Sequence, residues 1–271
     1  MYLAIGLPGP RPPLRINPKQ IRVEYVLPKN PAHQPIYERL KQARALERIQ
    51  TVAKPASTSA SIGFSRLSGC DGDSNAWYDG GFVTVCYEYL ADILKSAPEA
   101  SSAERHLTQE DAILGPFMDV FLHEAGHAVF DQLKVPVLGR EEDAADLFSA
   151  YIMLHSRGGC PQADLGLCLS IQRRCCEPTG ALTKYADEHG IPGAAFFNVC
   201  IAYGADQKLF ADVVRRIPAK TRAEGCDLEY EQLLSRSKKL IGPYIDQNLR
   251  KRFSLLDAGR EGPAQKSACA R

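Results

Sequence analysis

The sequence predicts an α+β fold, in which a small β-sheet leads into a buried central helix and a mostly helical lobe follows. Three observations predict it. Runs that alternate apolar and polar residues, or are rich in β-branched ones, fall early in the chain, at residues 21–27 and 82–87. A helical pattern that is apolar on nearly every side extends to about Leu133. Beyond it, residues 161–260 read as mostly helical.

The elements follow in order. Residues 1–20 are rich in proline and basic side chains and read as an irregular N-terminal arm. Residues 21–27 (IRVEYVL) read as a strand. From Pro35 to Val52, Tyr37, Leu40, Ala43, Leu46 and Ile49 recur at helical spacing and predict one amphipathic helix. Residues 53–80 are broken by proline, glycine and serine, with room for one short strand. Residues 82–87 (FVTVCY) give a second strand, and Glu88 to Lys95 opens a helix. Thr108 followed by Asp111 is a helix-start signal, a hydroxyl cap with an acid three residues on. That helix runs to Leu133, and Pro136 and Gly139 mark a turn. Glu141 to His155 is the next helix, with Ala144, Ala145, Phe148 and Ile152 as its buried stripe. Residues 259–271 read as a disordered tail. A single domain over 21–258 is expected, divided into a sheet-containing lobe at about 21–107, paired helices at about 108–156 and a helical lobe at about 157–258.

Bulk properties exclude several functions. The 271 residues are 45% hydrophobic and 24% charged, enough apolar material for a buried core. A net charge of +1 gives no global attraction to nucleic acid or anionic membrane. No run of about 18 apolar residues is present, so no transmembrane helix is expected. The opening MYLAIGLPGPRPPLR lacks a basic leader and breaks at Pro8, a poor signal peptide. Nine cysteines without a CxxC pair argue against a zinc ribbon or finger and for two or more disulfides in an oxidising, periplasmic or secreted setting. Reduced, buried thiols in the cytoplasm are the alternative.

Residues 123–127 read His-Glu-Ala-Gly-His. On a helix, positions i and i+4 share a face, so His123 and His127 can converge on one ion. Glu124 beside them is placed to take a proton from a metal-activated water without ligating the metal. The flanking residues are apolar, Val120 to Leu122 before and Ala128 to Phe130 after. Histidines on so buried a helix need a partner, which a metal supplies. Gly126 lets another element approach.

A catalytic zinc takes three protein ligands and keeps a fourth position open. The metzincin arrangement needs Gly and His at positions 130 and 133; Phe130 and Leu133 stand there, which excludes it. The following helix offers Glu141, Glu142, Asp143 and Asp146. A helix after a short turn packs antiparallel to its predecessor. Glu142 and Asp146 then share a face, with Glu142 able to reach the metal and Asp146 able to accept from the far nitrogen of a ligand histidine. Glu141 and Asp143 read instead as a solvated helix start that complements the helix dipole.

With these residues in place, the chain resembles the gluzincin metallopeptidases and, more narrowly, the bacterial metallopeptidase family of domain of unknown function 4344. Beside the two helices, the stretches that carry the resemblance are Val23 to Val26, Asn75 to Tyr78, Val85 to Glu88, Val137 to Asp146 and Ala202 to Ala205. It spans about residues 20–250. It implies a zincin-like fold binding one zinc ion, with His123, His127 and Glu142 as ligands, Glu124 as general base and Asp146 behind them. Fourteen residues separate His127 from Glu142, fewer than in thermolysin. The resemblance also implies disulfides Cys70–Cys86 and Cys200–Cys226. It gives the strand at 82–87 the prospect of being an exposed edge that pairs with an extended peptide.

The function expected is hydrolysis of a peptide or protein substrate. A second donor should steady the oxyanion, with Tyr203 favoured over Tyr151, His155 and His189. The alternatives are a catalytically inactive zinc-binding scaffold and a cytosolic regulatory peptidase acting on a specific protein partner. No nucleic-acid partner is expected, and the sequence does not set the oligomeric state.

Overall fold

The computed structural model describes residues 22–47, 49, 64–96, 109–155, 195–208, 210 and 224–241. The predicted arm at 1–20, the tail at 259–271 and Cys160, Cys168, Cys175, Cys176 and Cys269 lie outside the described residues.

Four strands form one sheet: β1 (Arg22–Tyr25), β2 (Phe64–Ser68), β3 (Ala76–Asp79) and β4 (Phe82–Cys86), in the order β1-β2-β4-β3. β1 pairs parallel with β2, β2 pairs parallel with β4, and β3 pairs antiparallel with β4. The β3–β4 hairpin turns on Gly80 and Gly81, both at positive φ, as a two-residue turn with the right twist demands.

The longer described helices are α1 (Gln34–Gln42), α2 (Tyr87–Ser96), α3 (Gln109–Leu133), α4 (Glu141–His155), α5 (Ala195–Ala205) and α6 (Cys226–Leu240), with a 3-10 turn at Pro31–His33 leading into α1. The mixed α+β class matches the sequence reading, α5 and α6 are the helices described within residues 161–260, and α4 has the bounds expected. α3 is the centre of the molecule. Phe117, Phe121, Leu122 and Ala125 are wholly buried on successive faces, because its apolar residues surround the axis. β3, β4, α1, α2 and α4 all pack on it.

Three expectations are corrected. The helix predicted from Pro35 to Val52 is interrupted: α1 stops at Gln42, and Arg44 enters the left-handed region at φ 51° before a helical turn resumes at residue 45. Tyr37, Leu40, Leu46 and Ile49 are nevertheless buried, so the apolar spacing reported the core face correctly while missing the break. Residues 53–80 contain two short strands, β2 and β3, rather than one. The strand at 82–87 is not an exposed edge: β4 lies between β2 and β3, and Val83 to Cys86 are buried. Among the described residues the sheet edges are β1 and β3.

Two cysteine pairs sit at disulfide distance. Cys70 and Cys86 are 2.00 Å apart at sulfur and join the loop after β2 to the end of β4. Cys200 and Cys226 are 2.10 Å apart and join α5 to α6. At that second junction a Cβ on Gly204 would lie 2.3 Å from the Cys226 carbonyl oxygen, so only glycine allows the approach. Tyr87, wholly buried at the β4–α2 junction, donates its hydroxyl to the Val26 carbonyl at 2.6 Å and approaches that of Leu67 at 3.3 Å. This ties the ends of β1 and β2 to the first turn of α2.

Tyr87→Phe removes the shared donor and leaves a buried carbonyl without it. It should lower stability by about 1–2 kcal/mol, seen as a reduced urea midpoint at unchanged slope.

Candidate metal centre

α3 and α4 form a helical hairpin. α3 ends where Lys134 takes a left-handed conformation, φ 52°, and the Val135 N–H bonds back to the Phe130 carbonyl at 3.1 Å. Gly139, at φ 106°, reverses the chain two residues before α4. The helices approach closely at Gly126, where a Cβ would lie 3.1 Å from the Ala145 Cα and 3.3 Å from a Phe148 ring carbon. The glycine of the His-Glu-Ala-Gly-His segment is therefore what brings the acidic helix within reach.

Along this approach a polar seam crosses an otherwise apolar interface. At one end the Ser149 hydroxyl donates to Asp119 Oδ1 at 2.8 Å. One helical turn on, His123 Nδ1 lies 2.8 Å from Asp146 Oδ1. At the far end His123 Nε2 lies 3.0 Å from Glu142 Oε2, and His127 Nε2 lies 3.3 Å from Glu142 Oε1. The two Nε2 atoms are 3.3 Å apart. His127 Nδ1 points the other way, 2.8 Å from Glu141 Oε1. Both imidazoles thus turn Nε2 inward to one carboxylate and Nδ1 outward to another.

The electrostatics follow from this packing. Burial opposes charge on His123, but hydrogen bonds to Asp146 and Glu142 outweigh it and raise its pKa to about 10. His127 moves in the same direction: burial opposes, and Glu142 and Glu141 prevail. Burial disfavours the Glu142 carboxylate, and the two histidines overcome that and hold it below the usual range. The lone-pair positions that carry protons in this arrangement are the ones a divalent cation would use. His123, His127 and Glu142 each offer a ligand atom within 4.8 Å of the others and form a group that could hold a metal ion. Two neutral-capable nitrogens and one carboxylate, with Nδ1 of each ring tied down behind them, fit a borderline-soft divalent cation.

The other anticipated residues are placed as follows. Glu124 is 4% exposed on α3, and its charge contributes to the raised His123 pKa. Asp146 is buried and faces His123, where the sequence reading put it. Tyr203 is half-buried on α5, a helix that packs against α4. Tyr151 is buried in the core. His189 and the side chain of His155 lie outside the described residues. Glu141, read as a solvated helix start, is in the first turn of α4 with its side chain 54% exposed, and in addition it faces His127 Nδ1. A separate cavity of about 420 Å³ opens beyond the ends of β1, β2 and β4, lined in part by Lys29, His33, Glu88 and Lys95, and does not include this cluster.

Comparison with known proteins agrees with the chemistry. A family model described as "Putative metallopeptidase" (DUF4344) matches residues 25–241. No curated protein and no solved structure gives a significant match.

Because the Gly126 Cβ position abuts backbone that cannot rotate away, Gly126→Val should destabilise the chain by about 1–3 kcal/mol through overpacking. It should also weaken metal binding by spreading α3 from α4. Thermal unfolding with and without added zinc measures both.

Proposed function

Since the chain belongs to the DUF4344 metallopeptidase family, we propose that it is a zinc-dependent peptidase of gluzincin type. His123, His127 and Glu142 hold the ion in this reading, and Glu124 acts as general base. One observation carries it: the Nε2 atoms of the two histidines lie 3.3 Å apart, and each lies 3.0 or 3.3 Å from a different carboxylate oxygen of Glu142.

A bound zinc ion supplies Lewis acidity that makes water a nucleophile near neutral pH. Zinc is preferred to other divalent cations because two imidazoles and one carboxylate with an open position suit it, although manganese or cobalt can substitute. The chain's own residues do the rest. Asp146 fixes the His123 ring so that Nε2 presents its lone pair. Glu124, buried beside His123 on the same turn, takes a proton from the attacking water and delivers it to the leaving amine. Tyr203 is the favoured hydroxyl donor to the oxyanion.

The substrate is an extended peptide. With β4 internal, strand addition falls to β3, a sheet edge that runs antiparallel to β4 and packs on α3. Tyr78 donates to Asp131 Oδ2 at 2.9 Å and anchors that edge to the last turn of α3. The two cysteine pairs favour an oxidising, extracytoplasmic setting.

Glu124→Gln should reduce hydrolysis of a generic casein or peptide substrate by about a thousandfold, within the usual range for one acid–base group, with zinc content kept. Glu142→Ala should lose both zinc and activity. Metal analysis of the purified protein beside a chelator-reversible protease assay provides the check. A Glu124→Gln protein that still cleaves contradicts the base assignment. Bound zinc without cleavage in the unaltered chain points to a scaffold instead.

A further inference from the structure

We propose that Glu141 is a positioning residue for His127: its carboxylate holds Nδ1 of that ring so that Nε2 is presented to the ion. This inference rests on the reading of His123, His127 and Glu142 as ligands, and assigns a role to a residue outside that set.

The argument starts from an asymmetry. Each histidine of the pair needs its ring plane and tautomer fixed, because an imidazole has two nitrogens and only one can face the ion. For His123 the constraint comes from Asp146, 10% exposed and 2.8 Å from Nδ1. For His127, Nδ1 points outward from the seam. Glu141 meets it there at 2.8 Å. The contact pairs an Nδ1–H donor with a carboxylate acceptor, which fixes the tautomer and raises the basicity of Nε2.

Backbone geometry makes Glu141 suited to this. It is the first residue of α4 and directly precedes Glu142, so consecutive side chains, about 100° apart around the helix, reach opposite nitrogens of one ring. Glu142 Oε1 lies 3.3 Å from Nε2, while Glu141 Oε1 lies 2.8 Å from Nδ1. His127 is gripped on both sides by neighbours in sequence. Asp143, the third acid of that turn, supplies the helix-dipole complement without such a contact being needed, and it serves as the control.

The test compares Glu141→Ala, Glu141→Gln and Asp143→Asn in the full chain. Zinc dissociation constants are measured by competition with a chromophoric chelator, and the visible spectrum of the cobalt(II) form reports ligand geometry. Glu141→Ala should weaken zinc by about tenfold or more and alter the cobalt spectrum. Glu141→Gln, whose amide oxygen still accepts from Nδ1–H, should fall between it and the unaltered protein. Asp143→Asn should match the unaltered protein within about threefold, since it removes a charge from the same helix turn and only a screened dipole contribution. Unfolding without zinc should be nearly the same for all, as Glu141 is half-exposed. Zinc affinity unchanged in Glu141→Ala overturns the inference and leaves the ligand reading standing. So does equal weakening by Asp143→Asn, which would show a through-space charge effect. Failure of the unaltered chain to take up zinc overturns the ligand reading, and this inference with it.

Discussion

The close approach of α4 to α3 at Gly126 is the constraint on which everything else at the cluster depends. Side chains on two helices at ordinary separation would hold Glu142 away from the histidines. With no Cβ at position 126, the Ala145 backbone settles against α3, and Glu142 and Asp146 fall opposite His127 and His123. The polar atoms then compensate one another. A buried imidazole or carboxylate alone costs several kcal/mol, yet His123, Asp146, Asp119 and Ser149 are all buried and hydrogen-bonded across the seam. The interface remains specific because sliding by one turn would break every pair at once.

The rest of the molecule keeps that hairpin in place. The sheet covers one side of α3 through Val83 and Val85, while α5 packs on α4 and is itself fixed to α6 by the Cys200–Cys226 pair. Tyr87 and the Cys70–Cys86 pair fasten the parallel strands at the end away from the hairpin turn. Among the described residues β3 pairs with β4 on one side, packs on α3 and is steadied by the Tyr78–Asp131 bond, with burial pushing the Tyr78 hydroxyl up to about 12, helped by the Asp131 carboxylate. That hydroxyl therefore stays a donor at any physiological pH.

Periodicity made the helices legible, because an apolar stripe reports burial directly: α3 and α4 were both readable, as were the ligand candidates at i and i+4. Three features were not. The Arg44 break falls where the apolar spacing continues across it, so a buried stripe conceals a change in backbone. β2 and β3 are only five and four residues long, too short for alternation to stand out, although the Gly80–Gly81 pair was a hairpin signal. The internal position of β4 depends on sheet order, which local sequence does not encode. At the cluster, Glu141 was missed for a related reason. An acid at a helix start already has a sufficient explanation in the dipole, and only the fold reveals that a ring nitrogen lies beside it.

One consequence of the hairpin lies in how the molecule acquires its chemistry. His123 and Asp146 are only 23 residues apart, so every donor in the cluster comes from one short, contiguous stretch of low contact order. Closing such a loop has a small entropic cost, and pairings this local form early on the way to the native state. The candidate metal cluster is thus drawn from α3 and α4 alone. A mutation that slows docking of the sheet would delay formation of the β3 edge and leave the pairing of α3 with α4 largely untouched.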